Sequence, residues 1–290
     1  GAPAEPATPA GGGGQPGAPA MLTNLDPPFV HVLSLGSRCL VARMLNESGI
    51  RQYAGPFDWI YSSVEMVRHC LQDKFKTFLA LDQLQPAGKA WGHRTYGPMI
   101  RRRVVFPHHE PLEKDRLHFT RCAERCRHVL ASPDRKLFVL AHVVTSRREL
   151  RMMPRNILEL EKLFEDLKTQ GVRNFELLAV HVVEGSSKWR AGVSKASGAP
   201  EVRVVSDKDM GGERLVLHEL HCVGGCTGLR FKNALDEEAL RGVVLGRHRH
   251  FSPQPDPLPP PDLPLASAHR RRRQMGDPPA LPKWRSRLAA

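Results

Sequence analysis

No apolar run in this chain approaches the ~20 residues that a membrane-spanning helix needs, so no span is expected. The first residues lack a basic stretch followed by an apolar one, and nothing argues for a secretory leader. Cysteine is scarce. Six in 290 residues are too few for a disulfide framework in a domain of this size, which points to reduced thiols and a cytoplasmic setting. No motif interleaves aromatic and basic residues in the way nucleic-acid modules do, so a nucleic-acid partner is not favoured. Acidic residues are in deficit, 30 against 43 lysines and arginines, and the formal charge is +13.

The two ends differ from the middle. Residues 1–28 are rich in proline, glycine and alanine and carry no lysine or arginine; residues 252–290 are proline-rich and hold the run Arg270–Arg273. Neither can bury enough apolar surface to offset the entropy of ordering, and both are expected to be disordered. That leaves 29–251 as one globular domain. Most of the positive charge lies there, where it would attract an acidic or polyanionic substrate in a salt-dependent way. The plainer reading is a solvated basic surface. Arg270–Arg273 is either a nuclear-targeting signal or a solvated run. No cofactor is called for.

Val30 to Leu35 is short, β-branched and bounded by Gly36, which reads as a buried strand. Leu40, Val41, Met44 and Leu45 then recur at helical spacing until Gly49. Pro56 to Ile60 reads as extended, and Ser62 or Ser63 can cap the next helix. Residues 82–102 are irregular and polar, a lid or a loose excursion. Val104 to Phe106 is a strand candidate, about 113–131 a helix, and Leu137 to Val144 a strand. A periodic helix follows, marked by Ile157, Leu160, Leu163, Phe164 and Leu167, and then a strand from Phe175 to Val183. Further strands are expected at 202–205 and 215–223, and a helix at about 234–245. Strands alternating with helices argue for a layered α/β domain with a largely parallel central sheet flanked by helices.

Cys39 is the first candidate for chemistry. It stands where strand gives way to helix, and peptide dipoles at a helix start favour a thiolate. The backbone N–H groups of Arg38 and Cys39 could hold an oxyanion. The alternative is a structural thiol packed where the helix leaves the sheet. Ser34, Gly36, Ser37 and Arg38 also resemble an anion-cradling turn, though without a full glycine fingerprint or a lysine–serine pair. The rival class is therefore a catalytically inactive α/β domain that binds a phosphate or nucleotide sugar at this strand–turn–helix, and a third class is a basic interaction protein. Asp58, flanked by apolar residues and close in sequence to Cys39, could orient an imidazole; the alternative is a carboxylate that caps backbone or pairs with an arginine. Cys122, Cys126, Cys222 and Cys226 form the one metal-like pattern, a zinc site whose spacing is a residue too wide and whose alternative is core filler.

The motifs Ser34-Leu35-Gly36…Cys39, Gly55-Pro56-Phe57-Asp58-Trp59 and Phe106-Pro107-His108-His109-Glu110 resemble the papain-like cysteine peptidase family of otherwise unknown function. The likeness extends to the helix around Arg121 and Arg125, to Leu137-Phe138-Val139, and more weakly to Phe231–Leu245. It implies a thiol-dependent hydrolase or peptidase working through an acyl-enzyme, with Cys39 as nucleophile. The His108–His109 pair would supply the base and Glu110 the acidic residue that follows it. His109 is preferred because His108 directly follows Pro107. It also implies a papain-like α+β architecture, in conflict with the alternation read from the residues.

Overall fold

The computed structural model describes residues 29–184 and 198–246. The expected disordered ends and Arg270–Arg273 lie outside these residues. Within them the central sheet has the order β1 (His31–Ser34), β4 (Lys136–Val144), β5 (Phe175–Val183), β7 (Arg214–His221) and β6 (Glu201–Asp209). The strands β1, β4, β5 and β7 pair in parallel, and β6 joins the edge antiparallel to β7. All nine residues of β5 are buried. A parallel strand covered on both faces has to be apolar throughout, as Phe175–Val183 nearly is.

The strand residues point alternately into two cores. On one face Leu137, Val139 and Val143 pack with Leu40 and Met44 of α1 (Cys39–Glu47) and with Leu240 and Val244 of α6 (Ala234–Leu245). On the other, Phe138 and Leu140 pack with α2 (Val64–Gln72), α4 (Arg116–Ala131) and α5 (Arg147–Thr169). Between these last helices lies a lattice of tilted and edge-on rings, Phe57, Phe75, Phe78, Phe106 and Phe119. The chain thus leaves β1 through α1 toward one face and leaves β4 through α5 toward the other. The C-terminal ends of two neighbouring parallel strands part there, where open α/β sheets form their crevice.

Layering and parallel pairing agree with the reading of the residues; several local details do not. The stretch 82–102 is structured, as the hairpin β2 (Leu84–Ala87) and β3 (Ala90–His93) followed by α3 (Tyr96–Ile100). Val104–Phe106 forms only an isolated bridge from Phe106 to Trp91. Pro56–Ile60 is a turn instead of an extended piece, with Trp59 at φ 60°. α5 begins at Arg147, well before its apolar periodicity, because the Ser146 hydroxyl accepts the Glu149 N–H and starts the helix despite Pro154. The antiparallel barrel that a papain-like fold would carry is not present among the described residues, where every crossover between neighbouring parallel strands needs intervening chain.

Candidate functional site

Cys39 is the first residue of α1, as expected. The preceding Arg38 is extended and offers no capping bond, and the first turn holds no acidic residue. Even so, the thiol is only 4% exposed. Burial pushes its pKa up to about 11; the helix-start N–H and Arg38 oppose this, Asp58 adds to it, and burial prevails. The expected thiolate is thus a neutral thiol at physiological pH, because lost hydration outweighs the helix end. Among the described residues its sulfur has no hydrogen bond to a histidine.

His108 is exposed. His109 Nδ1 lies 3.1 Å from Asp115 Oδ2, and its ring stacks on His118 at 5.5 Å and meets Phe119 edge-on. The carboxylate beside His109 is therefore Asp115 at the start of α4, not Glu110, which is exposed and meets Asp115 through its backbone N–H and carbonyl. Asp58 is 2% exposed and accepts from Arg51 at 2.8 Å and from the Gly55 N–H at 2.8 Å. Its carboxyl is raised by burial against the pull of Arg51. It closes the Gly55–Asp58 turn and, among the described residues, makes no hydrogen bond or ion pair with an imidazole.

A cysteine–histidine contact among the described residues joins other residues. Cys122 Sγ stands 3.6 Å from His118 Nε2 one turn back on α4, with Arg125 Nη1 3.8 Å away. The spacing of four residues on a helix was the signal for it. Cys122 is fully buried, and burial raises its pKa to about 12 against Arg125. The four cysteines weighed for zinc are divided between the layers: Cys126 lies in the core beneath α4, and Cys222 and Cys226 in the core beside α6. Among the described residues no group of three or more His, Cys, Asp or Glu is arranged to hold a metal.

The strand–turn–helix is tightly bound to the sheet. Ser34 Oγ accepts the Gly36 N–H, Ser37 Oγ donates to Ala141 O at 2.8 Å, and Ser62 Oγ donates to Leu35 O. Gly36 has φ +90°, and a Cβ there would fall 1.9 Å from Ser62 Oγ. The two serine hydroxyls, Ser34 and Ser37, are thus occupied by the backbone. Arg38 is not: its partly buried side chain lies over Gly228, where a Cβ would come within 2.3 Å of Arg38 Cδ. Among the described residues its guanidinium makes no hydrogen bond or ion pair. His142 and His181 sit on adjacent strands toward the same end of the sheet, ring centroids 5.9 Å apart. Among the described residues the His142 Nε2 and both nitrogens of fully buried His181 have no hydrogen-bond partner.

Residues 30–102 match the family model described as "putative papain-like cysteine peptidase". That segment includes Cys39, Asp58 and the strand–turn–helix, and stops short of His108 and His109. No curated protein and no solved structure matches the chain.

Proposed function

We propose that the domain binds an anionic ligand, a phosphate or a nucleotide sugar, in the crevice where β1 and β4 part. The observation that carries this reading is Arg38, a partly buried guanidinium that makes no hydrogen bond or ion pair among the described residues, beside α1, whose start has no side-chain cap. Helices α2, α5 and α6 satisfy their first N–H groups with Ser63, Ser146 and Asn233. Free N–H groups at a helix start and a fixed cation together suit an anion. The net charge of +13 would add long-range attraction.

Thermal unfolding with inorganic phosphate, pyrophosphate and a nucleoside diphosphate sugar tests this. At a hundredfold excess over Kd a bound ligand stabilises by about 2.7 kcal/mol. That gain should vanish in Arg38→Gln and survive in Cys39→Ser. No stabilisation by any of the three, or an equal gain in Arg38→Gln, would sink the reading.

A second reading, thiol-dependent hydrolysis with Cys39 as nucleophile and His109 as base, is favoured by the family match over Cys39. The sulfur would attack a carbonyl carbon, its proton passing to the imidazole and then to the leaving group. With a pKa near 11, Cys39 should instead be alkylated by iodoacetamide at neutral pH no faster than Cys226, whose pKa burial also raises to about 11. A Cys39 rate a hundredfold higher would favour the hydrolase over the anion site.

A further inference from the structure

The first half of α5 presents a stripe of three arginines, Arg148, Arg151 and Arg155. All three are exposed and, among the described residues, make no hydrogen bond or ion pair. Their spacing of three and four residues sets them on one side of the helix. Glu149, the one acid in this half, turns inward and accepts from the Thr145 N–H and hydroxyl. The acidic residues further along are engaged, Glu159 with Arg68 and Glu161 with Lys208. Cations near a helix start oppose the dipole and destabilise the helix. Their presence without partners marks this side as a place for an external anion.

Two leucines share the side. Leu150 is 40% exposed and Leu158 49%. At 100° per residue, the three arginines and two leucines fall within an arc of about 160°, with Leu158 near its middle. A nucleic-acid backbone would engage the guanidinium groups but has no use for leucine between them. The headgroup layer of an anionic bilayer accepts both, phosphates for the arginines and the acyl boundary for the leucines.

We propose that the solvent side of Arg147–Leu158 is a docking surface for an anionic lipid bilayer. This goes beyond the crevice reading and does not depend on it. The full chain would be mixed with vesicles of phosphatidylcholine and phosphatidylserine, with pure phosphatidylcholine vesicles and with duplex DNA. An arginine near an anionic surface contributes about fivefold in partitioning, so R148Q/R151Q/R155Q should weaken binding to the mixed vesicles on the order of a hundredfold. The L150S/L158S variant keeps the charge; it should lose about tenfold or more on vesicles and nothing on DNA. All these side chains are exposed, and unchanged melting temperatures would confirm intact folds. Arg270–Arg273 is common to every variant and cancels in the ratios. The proposal is overturned if the parent chain ignores phosphatidylserine, if the triple variant partitions like the parent, or if the leucine variant matches the parent on vesicles while the arginine variant loses DNA.

Discussion

At the scale of single residues, position and environment have to be read separately. Cys39 was legible as the start of a helix, because the spacing of Leu40, Val41, Met44 and Leu45 declares one. Its burial was not legible, because it depends on chain from elsewhere: Ser62 holds Leu35 and the Gly55–Asp58 turn lies close by. The same holds for Asp58, whose partner Arg51 decides its role. Gly36 gives the sharpest residue-level prediction. An added methyl meets both a left-handed backbone and Ser62 Oγ. Gly36→Ala should therefore lower stability by about 3 kcal/mol or more in urea unfolding. Gly36→Ala with Ser62→Gly should recover part of this, and an unchanged midpoint for the single variant would refute the account.

At the scale of elements, apolar runs and caps explain what could be read. β4 and β5 were clear because strands buried on both sides are apolar without interruption. The hairpin at Leu84–His93 was hidden, since its residues are mostly only partly buried and carry no alternation. The start of α5 was hidden because its first turns are basic on the outside, while its signal lies in Ser146 and Glu149. The contrast between that helix and α1 gives a second prediction. Arg38 has the extended backbone of an N-cap residue without a capping oxygen. Arg38→Asp should supply one and raise stability by about 1 kcal/mol in urea unfolding, while abolishing stabilisation by phosphate. Ser146→Ala should cost about the same amount, the sign reversed.

At the scale of the whole molecule, buried titratable groups set the pH range of stability. Burial, with His142 as a minor contributor, lowers the pKa of His181 from 6.5 to about 3. The unfolded chain thus takes up a proton below pH 6.5 that the folded one refuses. Stability should fall as the pH drops from 6.5 toward 3, by about 1.4 kcal/mol per unit in the middle of that range. His142 is lowered by burial as well and acts in the same direction. Urea midpoints measured from pH 7 to 4 should slope less steeply in His181→Gln; parallel slopes would refute the assignment.

β6 stands apart from this arrangement. Its residues are almost all exposed and among the described residues it pairs with β7 alone, whereas β5 is enclosed above, below and on both sides. Amide hydrogens of Arg203–Asp209 that bond to β7 should accordingly exchange with deuterium through local fraying, and those of β5 only when the entire domain opens. The protein is then a stiff spine with a soft rim, and the rim is where its backbone first becomes available to other chains.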